Sequence, residues 1–550
     1  MIPTMKTIFQ TGLNECVPLL PEKGFLIHPY HRNPMRFITP IILGFVTTVF
    51  SVNLAAFEVG PQIAGYGRDG TRVYPDFTPP TSTLKQHWVT ELPSWGQSQP
   101  IAIGDRIYVT VEPVEGKRTF PALVCLESAT GKILWDKPLD HLAAVPANIR
   151  DGALTAWNEV MADWIKRCEL FRAYKKTKDD KPVLAAGYEF NARGDIVAPN
   201  GDKTIEKKSA FASKAGFTKD NWRFRIGDSA PELASAGIGA AFATPVSDGK
   251  HLWTTTAWGG VFCHDLEGKE EWVAFSPGLA GEYCRNGRSP ILWKNLLLTD
   301  ITNLARAFDA ATGKLLWSHP GERGHTVVSP MVLTSGGKDI FWSVGPNAYL
   351  LPEGTPVPIK GWNDGGMQTL VKSDERDVIF FCGAGEHCGW SDKGNSTFQP
   401  PAAVRFAFAD GVLKATVLWH GGTAGGGDPN FRGGNKPWMV YYDNMFYHIH
   451  GAILDAATGT VKVGKVTRWG KGSAVPSTDY LLLIANGHVY GLTRPGDLSV
   501  FTTAGKPVSK LKITEYPDAK AICVNDGPEF AFAKDLVIVR SLKHLHGIGN

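Results

Sequence analysis

Side chains able to do chemistry fall in a few short stretches. Glu386, His387 and Trp390 sit in or beside the segment enclosed by Cys382 and Cys388, so a carboxylate, an imidazole and an aromatic share one constrained loop. Such a set could bind a ligand or relay a proton. The two cysteines could close as a local disulfide; two separate thiols are the equal alternative. Arg323 and His325, and Asp428 with Asn430 in the Gly-rich run 421–434, are polar groups between regular segments and form a second set of binding candidates. His448 and His450 are two apart, which on a strand puts both on one side, where they could share a metal. No third ligand is identified for them. In each case the plain reading is a solvated polar loop or an ordinary Tyr/His-rich strand, and catalytic residues remain unassigned.

Other chemistries lack their residues. There is no GxSxG nucleophile elbow, HExxH or P-loop, and no CxxC or CxxCH for a zinc ribbon, a redox dithiol or covalent haem. The chain has 550 residues and a formal net charge of +4, too small a surplus for a nucleic-acid footprint. Its basic run Lys175-Lys176-Thr177-Lys178 is answered at once by Asp179-Asp180.

The elements that must carry these loops repeat. The segment 305–317, ARAFDAATGKLLW, reads as a strand, a turn in which Gly313 takes positive φ, and a return strand ending in Trp317. The same hairpin recurs at 122–135 with Gly131 and Trp135, and at 261–272 with Gly268 and Trp272. It decays toward 403–419, ending in Trp419, and 452–459, ending in Gly459. Openings at Pro245, Pro290 and Pro330 recur at about 40 residues, the size of a four-stranded propeller blade. Eight such units can be counted, the last lacking a final strand, and an orphan strand around His87, Trp88 and Val89 would supply it and tie a ring shut. The expected fold is an all-β, eight-bladed β-propeller over 84–550, with seven blades as the competitor.

An insertion at 141–237 breaks the pattern. In it Leu154, Trp157, Met161, Trp164, Cys168 and Phe171 recur at spacings of three and four, a helix with one apolar stripe. At the other end, 35–56 reads as a signal peptide: Arg36, an apolar run, then small residues before Phe57. Residues 1–34 would then precede the true start at Met35, and 57–83 would be an extended lead-in. An uncleaved anchor is the alternative, although Pro40, Thr47, Thr48, Ser51 and Asn53 dilute the apolar run. Cleavage places the protein in the periplasm or outside the cell without a stable membrane anchor. Of eight cysteines only Cys16 precedes the cut, so an odd number remains and one stays unpaired.

The Pro-led strand pair followed by AxDxxTGKxxW resembles the pyrroloquinoline quinone-like (PQQ-like) β-propeller repeat. The resemblance implies that Trp135, Trp272, Trp317 and Trp419 pack between adjacent blades. Families with this repeat include quinoprotein alcohol dehydrogenases, which are enzymes, and the propeller subunit of the outer-membrane β-barrel assembly machinery, a binding scaffold. The first would imply PQQ, calcium on hard oxygen ligands, an Asp base and a vicinal cysteine pair; this chain has no adjacent cysteines. The second would imply a lipid-bearing Cys after the signal, and Ala55-Ala56-Phe57 offers none. The resulting expectation is an exported propeller that holds a protein partner or small ligand, with no cofactor. The alternative is a PQQ- and calcium-dependent dehydrogenase.

Overall fold

The computed structural model describes residues 64–65, 73–74, 80, 83–114, 116–173, 189–190, 196–197, 240–275, 289–301, 304–320, 330–343, 347–361, 369–372, 377–382, 402–420, 439–448, 453–463, 481–493, 496–514 and 529–550. Two compact units divide the chain. One joins 1–48 to 174–206, and its described part is the small hairpin Glu189–Phe190 with Ile196–Val197; the other, 49–173 with 207–550, holds everything below.

That second unit is an eight-bladed β-propeller. The innermost strands of the blades are, in order, Ile101–Ile103, Val246–Ser247, Ile291–Trp293, Met331–Ser335, Thr369–Lys372, Met439–Tyr442, Leu481–Ala485 and Glu529–Ala533. From each, the chain meanders outward through antiparallel strands. The weak stretch around 367–419 is a full blade of its own, with strands Thr369–Lys372, Val378–Cys382, Ala402–Ala409 and Val412–His420, which settles the count at eight.

Blade strands are apolar on both faces because both faces are covered. In blade 1, Ile107 and Val109 face a cluster shared with Ile538 and Leu545 of blade 8, while Tyr108 between them faces Leu252 and Phe262 of blade 2. Equivalent clusters fill all the other seams, so the core is a ring of eight interfaces. This is why the strands read as nearly continuous apolar runs rather than clean alternations.

Closure works through the orphan strand. Lys85–Glu91 pairs antiparallel with His544–Gly549 and becomes the outermost strand of blade 8. The first strand of the ring thereby lies on the last, hiding two edges at once.

The recurrent Trp and Gly meet across seams. A Cβ added to Gly268 would lie 2.9 Å from Trp135, one on Gly313 2.5 Å from Trp272, and one on Gly459 2.6 Å from Trp419. All three glycines, and Gly131, have positive φ, between 69° and 82°. The indole of one blade therefore lies flat on a left-handed turn of the next, a turn that only glycine forms without strain or clash. Trp317 makes the same contact with Gly354, and Trp88 of the closing strand makes it with Gly131. The indole N–H usually donates to a carbonyl of the partner turn: Trp272 to Ala310 at 3.0 Å, Trp317 to Pro352 at 2.9 Å, Trp419 to Ala456 at 2.8 Å and Trp88 to Ser128 at 3.1 Å. Trp135 differs. The Leu266 carbonyl of its partner turn already accepts from Arg106 and Tyr108.

Antiparallel meanders give the ring two unlike ends. One, the turn end, carries the short hairpins, including the Gly–Trp contacts that cross the seams. The other, the loop end, carries the connections within and between blades and, after blade 1, the start of the insertion, 141–173. There a 3-10 turn, His141–Ala144, leads into the 27-residue helix α1, Ala147–Ala173. Its buried residues are Ala153, Ala156, Trp157, Met161 and Ile165, packed with Phe120, Leu142 and Trp258. The buried stripe thus includes two small residues that bring the helix close, and Leu154 is only half-buried. Trp164, Cys168 and Phe171 have side chains outside the described set. Among the described residues no helix is long and apolar enough to cross a membrane.

Candidate functional site at the loop end of the ring

A polar belt joins the blades at the loop end. In blades 1, 2 and 3 the residue two before the innermost strand carries it: the Gln99 backbone N–H donates to Thr244 Oγ1 at 3.1 Å, and the Thr244 N–H donates to Ser289 Oγ at 3.0 Å. Gln99 Nε2 donates back to the Phe530 carbonyl of blade 8 at 3.0 Å. These side chains precede Pro100, Pro245 and Pro290, whose rings supply no N–H, so the preceding residue makes the crossing.

Charged groups are buried in the same layer. Arg540 of blade 8 donates to the Ser98 carbonyl at 2.8 Å, to Ser98 Oγ at 2.6 Å and to the Thr110 carbonyl at 2.8 Å. A Cβ on Gly96 would lie 2.4 Å from its Nη2 and 2.7 Å from the Thr110 carbonyl, so Gly96 leaves the room the guanidinium fills. Glu112, at the end of its strand, accepts from the Ala241 N–H at 2.6 Å, and Thr110 Oγ1 donates to the Ala241 carbonyl at 2.8 Å. Between blades 3 and 4, Ser343 donates to Asp300 at 2.5 Å. Arg306, fully buried, has its pKa pulled down by burial to about 9 while Asp300 opposes the shift, so it stays cationic at neutral pH. Buried charges with directed hydrogen bonds fix one arrangement of neighbouring blades rather than adding bulk stability.

Beside this belt, under the insertion, lies an aromatic box. His141 is fully buried with ring centroids 4.7 Å from Trp157, 4.5 Å from Phe275 and 5.4 Å from Phe120. Neither ring nitrogen makes a hydrogen bond. Burial alone pulls its pKa down to about 3. Asp140, which caps the 3-10 turn, pairs with Arg150 at 3.0 Å, and Glu270 nearby is pushed up by burial and by Asp140.

Arg323, His325, Glu386, His387, Cys388, Trp390, Asp428, Asn430 and His450 lie outside the described residues. The described strand ends that flank their segments are Pro320 and Met331, Cys382 and Ala402, His420 and Met439, and all of these are at the loop end. His448 ends the strand Met445–His448 there as well. Cys125 and Cys263 are buried free thiols.

Sequence reasoning missed Trp88 and Gly354 as partners in the seams. A signal was present: Trp88 stands in the same strand position as Trp135, and Gly354 precedes its strand as Gly313 does, without the TGK letters. It also missed Glu112, Asp300, Arg306 and Arg540, and nothing marks these in the sequence beyond a charge inside an apolar strand.

No family model and no curated protein matches the chain. Solved structures similar to it include the computationally designed Ika8 protein, with a TM-score of 0.40, 10% identity, and coverage of 84% of this chain and 98% of that one. BamB from Moraxella catarrhalis has a TM-score of 0.33 and 10% identity over 55% of this chain and 82% of its own. The C-terminal WD40 domain of Sif2 has 0.34 and 12% over 55% and 79%. Likeness this distant carries no argument about activity, and the propeller assignment rests on the eight sheets themselves.

Proposed function

We propose that the protein is an exported β-propeller of the PQQ-like repeat kind that works as a binding scaffold, holding a protein partner or small ligand at the loop end. The observation that supports this is the inequality of the two ends. Turn-end residues close the seams, whereas α1, the buried charges and the flanks of all the polar loop candidates gather at the loop end. Export rests on the signal-like pattern of 35–56.

The alternative reading needs PQQ and calcium. Among the described residues no group of three or more His, Cys, Asp or Glu side chains stands close enough to hold a metal ion, and Asp300 and Glu112 are engaged in different seams. The test is to add PQQ and calcium to the full chain and follow quinone absorbance and alcohol-dependent dye reduction. No turnover is expected, and stoichiometric binding with turnover overturns the scaffold reading. A partner cross-linked to the chain should be lost on Lys117→Glu at the loop end and kept on Lys132→Glu with Lys314→Glu at the turn end; the reverse pattern moves the site to the other end. N-terminal sequencing of protein recovered from the exported fraction should begin near Phe57, and an intact leader on cytosolic protein overturns export.

A further inference from the structure

We infer that the axial opening of the propeller is a strand-addition site for an extended peptide segment, held in cis by the chain's own residues 64–65 and 73–74. An innermost blade strand has one neighbour in its own sheet and one open edge, which faces the axis. In two blades that edge is paired. Ala64 and Gly65 lie antiparallel to Ser247 and Val246 of blade 2, and Val73 and Tyr74 lie parallel to Ile484 and Ala485 of blade 7. Ala64–Gly65 also lies against Ile101–Ile103, the innermost strand of blade 1. Residues 64–65 and 73–74 therefore stand inside the ring.

The directions agree with a single traverse. All innermost strands run from the loop end to the turn end, so the antiparallel pairing carries the chain up blade 2 and the parallel one carries it down blade 7. Gly65 and Val73 thus both point to the loop end, and the eight steps between them reach at most about 28 Å. Tyr74 leaves toward the turn end, where the closing strand begins at Lys85. Leu84 is buried in the seam of blades 7 and 8 on that route.

The contacts show what the site accepts. Backbone pairing is tolerant of sequence, so the occupant is defined by its extended conformation. Two-residue ladders are short, and short isolated pairings are weak. The cis segment is thus placed to be displaced by a partner's extended segment of the same kind, and among the described residues the other innermost strands carry no added strand. This rests on the scaffold reading for its purpose, but the pairing itself does not.

The test uses the full chain and a labelled peptide of residues 61–76, PQIAGYGRDGTRVYPD, with a scrambled control. A lock is made by pairing Ala64→Cys with Ser247→Cys, or Gly65→Cys with Val246→Cys, under oxidising conditions. A release variant combines Ala64→Pro, Gly65→Pro, Val73→Pro and Tyr74→Pro, which removes the ladder donors of both pairings. The release variant should bind the peptide at least about ten-fold more tightly than the parent, the lock should abolish binding, and reduction should restore it. Amide exchange at Val246, Ser247, Ile484 and Ala485 should speed up on release and slow again with peptide. If the lock leaves binding unchanged, if scrambled peptide binds equally, or if exchange at these amides ignores release, the inference is overturned. If the release variant fails to fold, the lock with exchange decides alone. Quinone turnover would sink the scaffold reading and leave the exchange result standing.

Discussion

At the residue scale, the strongest determinant of the fold is a glycine that faces an indole. Gly313 and Gly337 share a φ of 71°, but a Cβ on Gly313 would lie 2.5 Å from Trp272 whereas one on Gly337 has nothing within 4 Å. Gly337→Ala should therefore cost only the left-handed backbone, about 1–2 kcal/mol. Gly313→Ala should cost more, and Trp272→Ala about 3–5 kcal/mol from the lost burial. With Trp272 already removed, Gly313→Ala should fall to the Gly337→Ala value, a coupling of about 1–3 kcal/mol in a urea-denaturation cycle. Simple additivity would show that the indole does not rest on the turn. This contact was legible where the TGK letters survive, because a positive-φ turn and a large aromatic at fixed spacing leave few other arrangements. It was not legible at Gly354, where Leu351-Pro352-Glu353 replaces those letters and only the glycine's place before its strand remains. The buried charges were invisible for the opposite reason: Arg540 finds its carbonyl neighbours across the blade 8–1 seam, and Arg306 lies beside Asp300 of the neighbouring strand in its own blade, and no local motif announces either arrangement.

At the element scale, the start of the insertion is seated by α1 and by His141, which packs on Trp157 and must stay neutral. The spacing of three and four announced the helix, but its buried face turns toward Ala153 and Ala156, because close approach to the blade 1–2 seam needs small residues that a search for large apolar ones passes over. His141 lies under it, and His264 of blade 2 is buried with Nδ1 unbonded; burial pulls their pKa values to about 3 and about 4, with Lys137 adding to the second and Asp265 opposing. The unfolded value is about 6.5. Folded values below it mean that each histidine's contribution is complete above pH 6.5 and is lost as pH falls from there toward 4. At pH 5 the loss should be about 2 kcal/mol for each. Urea denaturation at pH 7.5 and 5 should show it, and His141→Phe, which keeps the aromatic box, should reduce the difference by about 2 kcal/mol, with His264 and His546, the latter also pulled down by burial to about 4, supplying the rest. An unchanged pH dependence in that variant would mean that His141 titrates in the folded protein. Glu270, pushed up by burial and by Asp140, acts in the opposite sense and makes the seam less stable as pH rises.

At the scale of the whole molecule, the number of blades was legible because proline-led strands recur at one period, while the occupied axis was not, since two-residue strands leave no period to read. Closure lies between these cases: an orphan strand and an incomplete last unit imply each other, yet its chemistry is visible only in space. Trp88 bears on Gly131 of blade 1 and donates to Ser128, and on its own sheet it covers Gly547, where a Cβ would lie 2.1 Å from the indole. Gly547 does not have positive φ, so Gly547→Ala adds volume without backbone strain, and the indole cannot retreat without leaving Gly131. The substitution should destabilise by about 1–3 kcal/mol and should speed amide exchange across Lys85–Glu91. Gly549→Ala is the internal control, since it meets only the ends of Leu536 and His87 side chains, the second of them exposed, and these can move aside. Because a ring shares its stability among seams that a linear array would keep separate, loosening this strand should also lower the protection of blade 8 at Leu536–Ser541 and of blade 1 at Arg106–Val111. If only Lys85–Glu91 responds, the closing strand is an appendage of blade 8, and ring integrity resides in the apolar seam of Ile107, Val109, Ile538 and Leu545 instead.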